Sequence, residues 1–121
     1  MAQSLLKLAF SAANVWAETA LSNVVKQIKA TTATVRGIEI VNTGSFDVYV
    51  KGWFALSASV TIGTTAPDFS WLCPALKTRR IYIPGAGAVY PTALSVAATS
   101  DKGTAGATAP VTAPQVRVIY T

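Results

Sequence analysis

The chain contains no histidine. That excludes the Ser-His-Asp and Cys-His arrangements, in which an imidazole activates the nucleophile. A single cysteine, Cys73, excludes an internal disulfide, and with it the secreted scaffolds that depend on several. One Cys and no His are also too few for a zinc site. Cys73 closes the apolar run Phe69 to Cys73 and reads as a small buried hydrophobe. No catalytic residue, cofactor site or metal site is expected, so the chain reads as a non-enzyme with no small-molecule substrate.

Charge is scarce as well. Asp, Glu, Lys and Arg make up 12% of the residues and hydrophobic ones 51%, where about 25% charged is ordinary. A surface so poor in charge is expected to meet protein over part of its area. The plainer alternative is a small Ala- and Thr-rich domain that is merely weakly charged. Ten basic residues against five acidic ones leave a net charge of +5. Such a balance suits nucleic acid, anionic lipid or an acidic protein lattice. Only Lys77, Arg79 and Arg80 cluster, a poor footprint for sequence-specific DNA binding. Arg79 and Arg80 beside Tyr82 would suit stacking and phosphate pairing on a single strand. Strand alternation instead sends the two arginines to opposite sides, as charges on an edge strand do. That second reading is preferred, and nucleic acid is not an expected partner.

Two further absences narrow the field. Glu18, Glu39, Asp47, Asp68 and Asp101 lie far apart in sequence, so only folding by chance would make a glycosidase pair of them. Gly85-Ala86-Gly87 lacks the spacing of a phosphate loop. No apolar run reaches the length of about 18 residues that a membrane helix needs, and no membrane partner is expected. The N-terminal MAQSLLKLAFSAANVWA has a superficial likeness to a secretory signal, but Lys7, Ser11 and Asn14 interrupt its apolar part.

What remains is punctuation and short β-rich runs. At 121 residues the chain is long enough for one domain with its own core. Residues 1–17 read as an N-terminal arm or strap, and residues 18–121 as the folded domain. In the arm, Leu5, Leu8, Ala12 and Trp16 share a helical face, whereas Leu6, Leu8 and Phe10 share a strand face; periodicity does not choose between them. Leu5, Leu6, Leu8, Phe10 and Trp16 need cover, either on their own domain or on a neighbouring subunit.

Strands are expected over residues 19–29, Thr34 to Val41, Phe46 to Leu56, Phe69 to Cys73, Arg79 to Ile83, Ala93 to Ala98 and Gln115 to Tyr120. Asn42-Thr43-Gly44-Ser45 is turn chemistry and predicts a hairpin between the two strands it joins. Phe46, Val48 and Val50 should share one face of the second strand, and Gly52 marks a bulge before Trp53. Pro74 ends a strand, and Pro84 to Gly87 breaks another. Trp16, Trp53 and Trp71 read as core or interface anchors. Residues 99–114 form a long Ala/Thr/Gly/Pro loop, a length that is usually functional or mobile. Seven or eight strands without a strong helix predict an all-β, antiparallel two-sheet β-sandwich, jelly-roll-like, with an open barrel as the alternative.

Several of these features, taken in order, resemble a family of small tailed-bacteriophage virion proteins. They are the Ile40–Ser45 turn (IVNTGS), the Tyr49–Lys51 strand, Ile62–Pro67 (IGTTAP) and the strand end at Pro74. Next come Tyr90–Thr99 (YPTALSVAAT), the Ala/Thr/Gly loop around Asp101 and the terminal VRVIY. The likeness runs from about residue 20 to the end, and its specificity lies in the order of loose motifs. Lys77-Thr78-Arg79-Arg80 is more basic than the usual polar stretch, and the arm has no counterpart.

The resemblance implies a capsid decoration, or cement, protein on the surface of the virion. It further implies binding to the major capsid protein, stabilisation of the expanded head and homo-oligomers, with a trimer favoured. A tail, neck or head-fibre component with a host-recognition surface is the alternative. Candidate interface residues are Leu5, Leu6, Leu8, Phe10, Trp16, Arg79, Arg80 and Tyr82.

Overall fold

The computed structural model describes residues 14–83 and 88–121. Nine strands run through them: β1 (Asn14–Glu18), β2 (Lys26–Lys29), β3 (Ala33–Val41), β4 (Val48–Trp53), β5 (Phe69–Cys73), β6 (Thr78–Tyr82), β7 (Ala88–Tyr90), β8 (Leu94–Thr99) and β9 (Gln115–Tyr120). A single 3-10 turn, Ser57–Ser59, is the one helical element among the described residues. One sheet has the order β1-β9-β3-β6, with β7 also paired to β3; the other has the order β2-β8-β4-β5. Every pairing is antiparallel. The chain is an all-β sandwich of two sheets.

Its core is where the inward alternate residues meet. Val35, Ile38 and Ile40 of β3 and Val116 and Val118 of β9 face Val48 and Val50 of β4 and Leu94, Val96 and Ala98 of β8. Each large aliphatic side chain in this layer is worth about 1.5–3 kcal/mol relative to exposure. A bulge explains why β3 changes phase between Val35 and Ile38. Val35 opposes Tyr120 while Gly37 opposes Ile119, so Arg36 is the extra residue. At the same point the other edge of β3 changes partner, from β7 at Ala33–Val35 to β6 at Gly37–Val41.

Three expectations change. Residues 41–48 do not form a hairpin, because β3 is already flanked by β9 and by β6 with β7, whereas β4 lies in the other sheet between β8 and β5. The Asn42 turn therefore carries the chain across the sandwich. Among the described residues, only β4 and β5 are consecutive strands paired with each other. Phe46 does not share the inward face of Val48 and Val50; it precedes β4 and is exposed. Nor is there a bulge at Gly52, whose ladders to Phe69 and Val96 run without a break. Gly52 instead leaves room for an aromatic ring: a Cβ there would lie 2.0 Å from Phe69 Cζ. That ring in turn packs on Trp71, with centroids 4.1 Å apart.

Of the residues assigned to the arm, Asn14 to Ala17 lie in β1, paired with β9. Leu5, Leu6, Leu8 and Phe10 lie outside the described residues. The expected strand over residues 19–29 is regular only in β2, which carries its own irregularity between Gln27 and Lys29. Before it, Leu21 is fully buried and its amide donates to the carbonyl of Pro114.

The Gly52–Phe69 contact is directly testable. Gly52→Ala should destabilise the domain by about 1–3 kcal/mol, as overpacking does, read from urea unfolding. Gly52→Ala combined with Phe69→Leu should recover part of that loss, whereas equal losses in the single and double variants would place the strain elsewhere.

Candidate interaction site

Four of the five acidic side chains accept hydrogen bonds or ion pairs. Glu18 accepts the amide of Ala20 at 3.4 Å, Asp47 that of Ala75 at 2.9 Å and Asp68 that of Phe54 at 2.7 Å. Asp101 acts electrostatically on Lys51. Glu39 is the most elaborate case. It stands on the outer face of the first sheet, in register with Arg80 of β6 and Arg117 of β9. Arg80 Nε reaches Glu39 Oε2 at 2.7 Å and Arg117 Nη1 reaches Oε1 at 2.6 Å. Three strands are thus cross-linked by one carboxylate that is only 2% exposed. Arg117 Nε is buried without a hydrogen-bond partner among the described residues. The carboxylate is the buried partner, while Arg80 and Arg117 are 52% and 26% exposed, so losing the arginines, which would strand a buried charge, is the costly direction.

Lys51 has the corresponding role on the outer face of the second sheet. It is 1% exposed, and its Nζ donates to the carbonyls of Gly103 at 2.7 Å and Gly106 at 2.8 Å. Burial pushes the pKa of its ammonium group below the ordinary lysine value, and the Asp101 carboxylate works in the opposite direction. The long loop is thereby tied down rather than left loose. Thr99 Oγ1 donates to the carbonyl of Asp101, and the amide of Ser100 donates to that of Thr108. At Gly106 a Cβ would come within 2.6 Å of the Asp101 carbonyl oxygen, so the tight winding under Lys51 needs glycine. The loop over residues 54–68 is pinned similarly: Trp53 Nε1 donates to Thr65 O, and Ser95 Oγ to Ala55 O. These bonds explain why β8 is buried on both faces.

At one end of the sandwich Asn42 joins two loops, the one after β3 and the one after β5. Its buried Nδ2 lies within hydrogen-bond reach of the carbonyls of Phe46 at 2.9 Å and of Cys73 and Pro74 at 3.2 Å. Its Oδ1 accepts the amide of Gly44. The Leu76 amide donates to the Gly44 carbonyl, and a Cβ on Gly44 would meet Thr112 Cβ at 2.7 Å. This end exposes Phe46 (60%), Leu76 (70%) and Val111 (77%). Lys77 and Arg79 lie beside them, both exposed. Cys73, at the base, is buried, and burial pushes its thiol pKa up while backbone bonds from Arg79 and Asn42 oppose this.

The candidate interface residues are separated by this geometry. Trp16, on β1, is partly buried against the core. Arg79 lies on the edge strand β6, and its Nη1 donates to the carbonyl of Leu72 on β5 at 2.7 Å, linking the two sheets at their edge. Arg80 belongs to the Glu39 cross-link. Half-exposed Tyr82 has its ring over Gly37, where a Cβ would lie 3.3 Å from Tyr82 Cδ1. Sequence reading missed Phe46, Leu76 and Val111 as a group, because their loops meet only in three dimensions. It missed Lys51 and Glu39 too, since alternation marks both as ordinary outward-facing residues. Among the described residues no helix is long and apolar enough to cross a membrane. The chain matches no family model, no curated protein and no solved structure.

Two substitutions test these ties. Lys51→Met should leave the fold intact, cost about 1–3 kcal/mol and speed amide exchange at Ser100 and Gly106. Unchanged exchange there would mean that other contacts hold the loop. Glu39→Gln should cost about 2–3 kcal/mol in chemical unfolding. The loss should shrink in an Arg80→Met background, because one of the two cationic partners of Glu39 is already absent there.

Proposed function

We propose that this protein is a non-enzymatic structural protein of a virion, a decoration or cement protein that binds the major capsid protein lattice and stabilises the expanded head. The observation that carries this reading is the use of the charged groups. Four of the five acidic side chains, and the one buried lysine among the described residues, are engaged with the protein's own amides, carbonyls or cations. Such bonds build a stiff scaffold with pinned loops, and they leave binding to the apolar side chains that the loops present.

The strand order supports the same reading. Apart from β7, the first sheet takes strands 1, 9, 3 and 6, and the second takes strands 2, 8, 4 and 5. We read this as a jelly roll, a double-sheet architecture used in viral capsid and lectin domains. The ordered motifs from about residue 20 to the end, which resemble those of small phage virion proteins, give the reading its particular form. A shell under pressure from packaged DNA opens at its subunit junctions, and a rigid domain bridging them adds buried contact there. Binding the expanded lattice alone stabilises that state by mass action. Oligomers, trimers in this reading, multiply the contact. The net charge of +5 draws the protein towards an acidic shell.

The test is co-sedimentation of the purified protein with expanded, decoration-free capsids, followed by their thermal disruption. Saturable binding and a raised disruption temperature are expected. Failure of folded protein to bind at low ionic strength would overturn the reading, and binding to host cells instead would favour a tail or fibre component.

A further inference from the structure

The geometry points to a specific docking surface: the end of the sandwich bearing Phe46, Leu76 and Val111 is the contact through which the protein seats in an apolar, acid-rimmed recess of a protein lattice. This inference rests on the function proposed above and assigns it to particular residues.

The argument begins with Leu76. Its φ is +59°, and it is the one non-glycine residue among those described with a positive φ. A Cβ crowds the backbone in that region, which glycine or asparagine occupies more easily. Strain of this kind is commonly offset by burial. Leu76 has little: it is 70% exposed. The surroundings nonetheless hold it in place, since its amide is bonded to Gly44 O and the preceding amide, of Ala75, to Asp47 Oδ1. The fold thus spends backbone strain to hold a leucine in solvent, in one fixed direction.

Phe46 and Val111 are fixed to the same platform. Asn42 holds the Phe46 carbonyl, and Thr112, next to Val111, abuts Gly44. Three apolar side chains are therefore presented on backbone that is already ordered. Little entropy remains to be lost on docking, the main benefit of preorganisation.

Their nature and number select the occupant. Three side chains exposed to this degree offer roughly a few hundred Å² of apolar area, within the range of functional patches on monomers but below the roughly 800 Å² per partner of a stable pairwise interface. A second copy seated on this patch alone would not hold. A repeating lattice engaged at several points at once would, through avidity. A bilayer accepts apolar side chains in any direction, so it gives no use to a strained, directed leucine; a shaped recess does. Exposed Lys77 and Arg79 outnumber the exposed Asp47 carboxylate, which accepts the Ala75 amide and keeps its negative charge. The complementary rim is acidic.

The experiment compares full-length Leu76→Gly, Phe46→Ser and Val111→Ser with wild type for binding to expanded, decoration-free capsids. Val24→Ser serves as a control, being 58% exposed on another segment. Leu76→Gly should keep or raise the melting temperature while weakening capsid binding at least tenfold. The other two should weaken binding comparably, and Val24→Ser should change it less than twofold. Wild-type binding that survives all three substitutions would overturn this surface and leave the proposed function standing. Absence of wild-type binding would overturn both. A lower melting temperature for Leu76→Gly would assign Leu76 a structural role and overturn its part. Binding to phosphatidylserine vesicles that is lost in the three variants would show a membrane surface instead and overturn the protein recess.

Discussion

The buried amide of Asn42 is the interaction on which the arrangement of this sandwich depends. With almost no consecutive strands paired, the chain must cross between the sheets repeatedly, and each crossing exposes backbone groups that no ladder satisfies. Asn42 stands where two crossings meet, the one from β3 to β4 and the one from β5 to β6. One side chain reaches carbonyls on both and accepts the Gly44 amide. Hydrophobic burial drives the two sheets together, but it is indifferent to how the corner is turned. The amide supplies that direction.

The same economy recurs on the outer faces. Each face places one charged residue where alternation would put an exposed one, then covers it. Glu39 joins three strands through two arginines, and Lys51 gathers the long loop through two carbonyls. A chain with few charged residues uses several of them as internal fasteners. The exposed ends of the loops are left to apolar side chains, and this division of labour underlies the proposed role as a capsid-binding scaffold.

Much of the fold was legible. Val116 and Val118 alternate with Arg117 and are buried accordingly, although Ile119, on the phase of Arg117, is buried as well. The run from Phe69 to Cys73, stopped by Pro74, is β5 residue for residue. Other elements misled for definite reasons. Asn42-Thr43-Gly44-Ser45 has the chemistry of a tight turn, and local chemistry does not say whether the strands it joins will pair. Gly52 inside an apolar run reads as a bulge until Phe69 is seen lying over it. Arg36, where the bulge in β3 does fall, carries no signal, because the break is set by a change of neighbouring strand. Of the candidate site, only Arg79, Arg80, Tyr82 and Trp16 were named among the described residues, and each has a neighbour that explains its place.

The sequence alone determined the β class, the position of most strands, the burial of Cys73 and the lack of an imidazole for acid–base work. These follow from composition and from a period of two, both of which are local. The tertiary structure alone decided which strands pair, that Glu39 and Lys51 are buried, that the long loop is fastened, and that Phe46, Leu76 and Val111 come to one end. The partners that bury Glu39 and Lys51 lie between 41 and 78 positions away, and separations of that size carry no periodicity. They are settled only when two sheets close on one core and the remaining polar groups must find partners.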